Sequence, residues 1–173
     1  MLIRLIEERD LNLFEAARLM AMAHASGGDA MIACFEAKYH YASWRPVHAV
    51  RRADTDGNAA TAPIADWRPQ NPTPNHPEYT AAHNCHSAAV ATAIGAFFGT
   101  DEVAITVDSE VTGEVRRFDR LSDAVADVID ARVLAGAHFR FSGEAGTALG
   151  VSVARFVTRT EFTLKGPKGR PGT

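Results

Sequence analysis

Apolar residues recur at helical spacing along most of the chain. Over residues 11–23 they return every three or four positions, which predicts an amphipathic helix. Polar residues and glycines at 24–28 interrupt this spacing, and Asp29 is a typical N-cap, so a second helix is predicted from Asp29 to about Tyr41. Three further helices are predicted over about 80–98, 118–135 and 142–160, the first of them with Thr80 as N-cap.

Two segments lack helical spacing. Residues 51–77 contain five of the eight prolines, and because proline has a fixed φ and no N–H, this density predicts a long loop. Residues 102–115, with a Thr112-Gly113 turn, are compatible with a short hairpin and equally with irregular chain. The predicted fold is all-α: a bundle of about five helices in one domain, residues 1–164, followed by a flexible basic tail at 165–173.

The composition is that of an ordinary globular domain, with 46% hydrophobic residues, 23% charged residues and a net charge of −3 over 173 residues. Near neutrality gives no electrostatic reason to bind nucleic acid. The longest uncharged stretch, 79–100, contains histidine, asparagine and serine and is too polar to cross a bilayer. Five charges among residues 1–10 leave no room for a secretory signal, so a cytoplasmic protein is the default expectation. Cys34 and Cys85 lack metal or redox spacing and are interpreted as buried small residues.

Three cations occur where a helical bundle does not need them. Lys38 and Arg45 stand seven residues apart at the end of a predicted helix, and Arg132 lies late in another. Each alone is explained by the favourable interaction of a cation with a helix C-terminus. Together they suit a tetrahedral oxyanion, because guanidinium groups bind oxygens bidentately and the ammonium adds a point charge.

Two histidines complete this set. His83 falls in the first turn of the predicted 80–98 helix, where the helix dipole favours an anion and lowers an imidazole pKa. His138 follows Gly136, a residue suited to ending the Arg132 helix. One imidazole is then available to bond the central atom of an oxyanion and the other to move protons. Two alternatives stay open: structural roles for the histidines, and a divalent-metal site built from His76, His83 and His86.

The order and spacing of these residues resemble the vanadium-dependent haloperoxidases, which share an active site with type 2 phosphatidic acid phosphatases and bacterial class A acid phosphatases. The family pattern is lysine, six residues, Arg-Pro; later P-S-G-H; later S-R, five residues, histidine. The corresponding residues here are Lys38 and Arg45-Pro46, then Thr80-Ala81-Ala82-His83, then Ala131-Arg132 and His138. The tryptophan at 44 and the HPEY lead-in at 76–79 are similar to the haloperoxidase branch.

The resemblance implies a role for each residue. His138 is the vanadate ligand, or in a phosphatase the nucleophile that becomes phosphohistidine, and His83 is its acid–base partner. The remaining site residues are the oxyanion-binding Lys38, Arg45, Arg132 and Gly136, the last through its N–H, with His76 and Ala82 as auxiliary positions. The implied cofactor is vanadate, with phosphate or sulfate able to take its place. The implied substrates are hydrogen peroxide and a halide, or a phosphomonoester when vanadate is absent.

Two departures from the pattern favour a third function, a catalytically weak oxyanion-binding or assembly domain. The serine of P-S-G-H is Ala81, and the missing hydroxyl costs roughly 1.5 to 3 kcal/mol of anion affinity. The aspartate that often follows the ligand histidine by four residues is Ser142, with Glu144 out of register, so a less firmly oriented His138 is expected.

The chain is also much shorter than a haloperoxidase. It is interpreted as a compact relative or as the C-terminal part of a larger family domain. Such a bundle leaves an apolar face uncovered, and the 11–23 helix is the element expected to cover that face in a neighbouring chain. The sequence therefore predicts a homo-oligomer.

Overall fold

The computed structural model describes residues 1–109 and 112–163. Within these residues the chain forms six α-helices and one two-stranded sheet, which confirms the predicted all-α bundle. The elements in order are α1 (Leu2–Glu8), α2 (Leu13–Tyr41), α3 (Pro46–Arg51), α4 (Ala82–Phe98), β1 (Ile105–Asp108), β2 (Val115–Phe118), α5 (Leu121–Leu134) and α6 (Arg140–Thr160). The predicted basic tail at 165–173 lies outside the described residues.

Helix α2 is one continuous helix where the sequence pattern predicts two. It begins with a capping box, in which the Asn12 side chain accepts from the backbone of Glu15 and the Glu15 carboxylate accepts from the backbone of Asn12. The predicted interruption at 24–28 is wrong, because Gly27 serves helix packing. A Cβ on Gly27 would lie 2.9 Å from Nε2 of His86, so the missing side chain lets α4 approach closely.

Helix α4 occupies the centre of the bundle, in contact with α2, α5 and α6. Its alanine-rich sequence and the glycines of α6 allow the two helices to pack backbone to backbone. A Cβ on Gly150 of α6 would overlap the carbonyl of Cys85. The N-cap of α4 is Ala81, which offers no capping side chain, and not the predicted Thr80.

The Thr80 hydroxyl lies instead between the two cysteine sulfurs. It is 3.3 Å from Sγ of Cys34 and 3.4 Å from Sγ of Cys85. Both cysteines are free and buried, as predicted.

Large aliphatic side chains gather at the opposite end of α4, in a cluster made of Leu5, Leu19, Ile94, Val103, Ile105 and Leu121. Strands β1 and β2 pair antiparallel beside this cluster, with Ile105 opposite Phe118. Of the two structures compatible with segment 102–115, the hairpin is therefore the one observed. Gly113, which lies in the turn of the hairpin, has a positive φ of 71°, a conformation that glycine adopts without strain.

The short helices α1 and α3 are not predicted by the sequence pattern, because seven and six residues are too few to show a period. The predicted loop is confirmed over residues 52–77, with a single 3₁₀ turn at Ala53–Thr55, whereas Arg51 is the last residue of α3. The N–H of Gln70 donates to the carbonyl of Ala135, which ties this loop to the end of α5. None of the helices in the described part of the chain has the length and apolar character needed to span a bilayer.

Candidate active site

Lys38 and Arg45 are brought together by a helix end, a turn and a helix start. Ala42 ends α2 in the left-handed conformation, and Pro46 is the first residue of α3, where a missing N–H costs nothing. Both cations turn into the protein: Lys38 is fully buried and Arg45 is 3% exposed. The spacing between Lys38 and Arg45-Pro46 is therefore set by local structure, namely the end of α2, the turn and the start of α3.

The Lys38 ammonium holds the chain segment that precedes α4. Nζ donates to the carbonyls of Pro77 and Glu78, each at 2.9 Å. These bonds use two of its three N–H groups. Burial lowers the pKa of Lys38 to about 8, and the charge of Arg45 acts in the same direction. Lys38 is therefore still largely protonated at pH 7.

The Arg45 guanidinium lies between two histidines. Nη1 donates to the carbonyl of Ala137 at 2.9 Å and lies 3.1 Å from Nε2 of His138. Nε and Nη2 donate to the carbonyl of His76, and Nη2 lies 3.0 Å from Nδ1 of the same residue. All of these acceptors are uncharged. Since a guanidinium binds anions more strongly than neutral groups, Arg45 remains available to an oxyanion.

Arg132 and His138 are joined by the turn that ends α5. The carbonyl of Arg132 accepts from the N–H groups of Ala137 and His138, at 3.1 and 3.3 Å. These bonds fold the five intervening residues into a compact turn. The spacing between the arginine and the histidine therefore follows from the helix C-terminus.

Gly136 provides the positive φ that this turn requires, 68°. A Cβ there would also lie 2.7 Å from Cη2 of Trp67. Its N–H donates to the carbonyl of Val133 at 2.9 Å in this structure. A contact between that N–H and an anion stays a prediction.

The Arg132 side chain has an unsatisfied donor. Among the described residues, none accepts a hydrogen bond from its buried Nε. Burial lowers the pKa of Arg45 and of His83, and the charge of Arg132 acts in the same direction on each, so Arg132 is within electrostatic reach of both groups. A buried N–H without a partner costs roughly 1 to 3 kcal/mol. A bound oxyanion would relieve that cost.

His83 is the second residue of α4, within the first turn as predicted. With His76, Ala82, His86 and His138 it lines a cavity of about 330 Å³. His83 is exposed at the mouth of this cavity, but partial loss of hydration lowers its pKa to about 4, and the charge of Arg132 acts in the same direction. His83 is therefore neutral at pH 7 and able to accept a proton.

His138 is held by Glu78, a residue that the sequence analysis does not identify as part of the site. Nδ1 of His138 lies 2.8 Å from Oε1 of Glu78, and both side chains are almost completely buried. The orientation expected to be lost with Ser142 is thus provided by a carboxylate from the loop before α4. The only sequence signal for this role is that Glu78 is the acidic residue of the HPEY segment. No local spacing relates Glu78 to His138.

The site carries an excess of positive charge. Lys38, Arg45 and Arg132 bring three cations, and Glu78 brings one carboxylate. Where the dielectric constant is low, such an excess favours binding of an anion. In the described part of the chain, no three or more His, Cys, Asp and Glu side chains are grouped to hold a metal ion. The divalent-metal alternative at His76, His83 and His86 therefore has no support.

The chain matches one protein-family model, described as the VCPO second helical-bundle domain, over residues 18–165. No curated protein matches it. Among solved structures, the crystal structure of a bacterial vanadium-dependent iodoperoxidase aligns with a TM-score of 0.79 and 25% identity. The alignment covers 90% of this chain and 36% of the iodoperoxidase chain.

Two bacterial vanadium-dependent chloroperoxidase structures also share the fold, each at 20% identity over 81% of this chain. Their TM-scores are 0.64 for the holo form and 0.65 for the apo form, and the covered shares of those chains are 35% and 36%. The chain therefore spans about a third of the length of each solved relative.

Proposed function

Because the chain belongs to the vanadium haloperoxidase superfamily, through its match to the VCPO second helical-bundle domain, we propose that it binds vanadate and catalyses peroxide-dependent halide oxidation. The observation that carries the proposal is the state of His138. Its Nε2 accepts a hydrogen bond from Arg45, a residue that can only donate, so an unprotonated ring nitrogen faces the Arg45 guanidinium.

The residues present fit an oxyanion of this kind. Nε2 of His138 would bond the central atom, and Lys38, Arg45 and Arg132 would hold the oxygens. Nε of Arg132, which has no acceptor among the described residues, would gain a partner from such a ligand. When bound, vanadate supplies a Lewis acid that activates hydrogen peroxide.

Arg45 and His83 have distinct tasks in this proposal. Arg45 donates to Nε2 of His138 at 3.1 Å, so its guanidinium would turn from the ring nitrogen toward the oxygens of an oxyanion whose central atom bonds Nε2. His83, neutral at pH 7 and lining the same cavity, accepts a proton from incoming hydrogen peroxide. As the O–O bond breaks, the halide takes one oxygen and leaves as hypohalite, and His83 returns its proton to the other oxygen, which leaves as water.

Vanadate binding is tested by thermal unfolding. A ligand that binds only the folded state at 100 times its Kd stabilises it by about 2.7 kcal/mol. We expect orthovanadate to raise the Tm of the wild type above its value in chloride of equal ionic strength, and to raise that of Arg132→Ala much less. Coincident melting curves for the wild type in the two salts would contradict an oxyanion site.

Turnover is tested by two assays on the same proteins. Halide oxidation by hydrogen peroxide is measured with vanadate, and phosphomonoester hydrolysis is measured without it. The wild type is compared with His83→Ala, His138→Ala and Ala81→Ser. We expect halide oxidation in the wild type, its loss in both histidine variants, and a gain in Ala81→Ser, which restores the family hydroxyl.

The phosphatase alternative is favoured by the same unprotonated Nε2 of His138, since a nucleophilic histidine needs a free lone pair as much as a ligand does. Hydrolysis without halide oxidation would establish it. If the wild type has neither activity while Ala81→Ser gains one, the chain is a weakened oxyanion-binding domain.

We also propose that the chain forms a homo-oligomer. Large apolar side chains stay exposed on the long helices, among them Leu13, Phe14 and Ile32 of α2 and Phe156 of α6. Burying such side chains against a second copy would be favourable. Sedimentation equilibrium at micromolar concentration should show a species heavier than 18.6 kDa, and a monomer alone would contradict the proposal.

A further inference from the structure

We propose that Glu78 is a positioning residue for His138. Its carboxylate fixes the imidazole so that Nδ1 carries the proton and the Nε2 lone pair faces Arg45. The inference rests on the proposed function in one respect: the oriented imidazole is taken to bind an oxyanion.

The contact geometry around Glu78 supports this role. Oε1 of Glu78 lies 2.8 Å from Nδ1 of His138 and accepts the N–H of Phe139 at 3.0 Å. One oxygen atom thus holds both the ring and the backbone that follows it. Phe139 is the N-cap of α6, so the carboxylate also lies at the positive end of that helix dipole.

The hydrogen-bond donors decide which ring nitrogen is protonated. Arg45 has only donors, so Nε2 of His138, 3.1 Å from Nη1, must accept. The ring then carries its proton on Nδ1, where the Glu78 oxygen accepts it. When Arg45 leaves Nε2 for the oxygens of an oxyanion, Glu78 keeps the proton on Nδ1, so the Nε2 lone pair stays free for the central atom.

The backbone of Glu78 is itself anchored to the rest of the site. Its N–H donates to the carbonyl of Ser43 at 3.0 Å, and its carbonyl accepts from Nζ of Lys38 at 2.9 Å. The hydroxyl of Ser142 lies 3.5 Å from the same carbonyl. The carboxylate that orients the histidine therefore comes from the loop before α4, while α6 contributes only a serine at the position of the family aspartate.

The test separates orientation from charge by comparing two anions. Orthovanadate gains from a bond to Nε2, whereas sulfate senses only the charge and the hydrogen-bond donors. Removing the negative charge of Glu78 should by itself favour both anions. Loss of orientation should weaken orthovanadate alone, by about 10- to 100-fold as for other residues that orient metal ligands.

The variants are Glu78→Ala, which removes the acceptor, and Glu78→Gln, which keeps an acceptor oxygen without the charge. Ser142→Ala is the matched control, since it alters a buried neighbour of Glu78 without touching the ring. We expect the ratio of the orthovanadate Kd to the sulfate Kd to rise about 10- to 100-fold in Glu78→Ala. The ratio should rise less in Glu78→Gln and stay constant in Ser142→Ala.

A second readout needs no anion. In ¹⁵N-histidine-labelled wild type, a downfield Nδ1–H proton resonance of His138 is expected, assigned by its loss in His138→Ala. It should move upfield in Glu78→Gln, vanish in Glu78→Ala and persist in Ser142→Ala. A protonated Nε2 in the wild type, or an unchanged resonance or Kd ratio in a folded Glu78→Ala, would overturn the inference.

The two readouts keep the proposals apart. If the wild type binds no orthovanadate, the proposed function fails, and the resonance of the anion-free protein still decides the role of Glu78. If orthovanadate binds but the resonance and the Kd ratio ignore Glu78, only the positioning role fails.

Discussion

The two ends of the bundle differ in the residues at their centres. We call the end beside strands β1 and β2 the hairpin end, and the end that contains Lys38, Arg45 and His138 the site end. At the hairpin end, aliphatic side chains such as Leu19 of α2 and Ile94 of α4 are fully buried. Charged groups there pair at the surface, as Arg116 does with Asp127 at the edge of the hairpin. Exposed ion pairs of this kind contribute little to stability, so burial of apolar area stabilises this end.

At the site end, charged groups take the central positions. Lys38 and Glu78 are fully buried there, and Arg45 almost so. Taking such groups out of water costs several kcal/mol each, which hydrogen bonds and opposite charges only partly offset. The contrast indicates that one end supplies the stability of the fold, while the other holds buried charges whose energetic cost is consistent with the proposed anion binding.

The largest effect is expected from a core substitution at the hairpin end. Leu19→Ala should lower the free energy of unfolding by about 2 to 5 kcal/mol, because it removes buried methyl groups and leaves a cavity. Urea unfolding measures this loss, and sulfate affinity under native conditions should not change. Leu134→Ala, at a side chain that is 82% exposed, is the control and should change stability by less than about 0.5 kcal/mol. A large loss of sulfate affinity in Leu19→Ala would show that the two ends are not independent.

The next effect distinguishes two histidines within the site. His138→Ala should weaken orthovanadate binding about 100-fold or more, equal to about 2.7 kcal/mol, because the bond to the central atom is lost. His83→Ala should change the Kd by less than about tenfold, since this residue acts on protons and forms no bond to the oxyanion. Equilibrium dialysis measures both affinities. Equal orthovanadate affinity in His138→Ala and the wild type would refute the assignment of His138.

Arg132→Met tests whether a cation at the site end lowers the free energy of unfolding while it raises the affinity for anions. It removes a charge whose Nε has no acceptor among the described residues. Sulfate affinity should fall by about tenfold or more, as expected for a charged hydrogen bond of roughly 1.5 to 3 kcal/mol. The free energy of unfolding should stay equal or rise. The control is Arg116→Met at the hairpin, which should leave sulfate affinity unchanged. A clear loss of stability in Arg132→Met would show that this cation also supports the fold.

The smallest effect is a pH dependence of anion binding. The pKa of Lys38 is lowered to about 8, chiefly by burial, so its charge is present below that pH and lost above it. Sulfate affinity should therefore fall as the pH rises above 8, by at most tenfold per pH unit for one proton. Calorimetric titration between pH 7 and 9.5 measures the decline. Lys38→Arg keeps its charge over this range and should flatten the curve, and an equal decline in that variant would assign it to another group.

Several features of the molecule follow from local sequence alone. Residues 38–45 and residues 132–138 each form a helix end with the turn that follows it. The second turn is held by hydrogen bonds such as that from the His138 N–H to the Arg132 carbonyl. The hairpin turn at Gly113 and the proline-rich loop are equally local. These features are predictable because the residues that form them are neighbours in the chain.

The tertiary structure decided what local pattern could not. Helix α2 continues through Gly27 because the close approach of His86 requires a residue without a side chain there, whereas the sequence pattern indicates an interruption. Glu78 and His138 are 60 residues apart, so no periodicity or motif spacing relates them. Their pairing arises only when both are buried at one point, because a buried carboxylate and a buried imidazole must each find a hydrogen-bond partner once water is excluded.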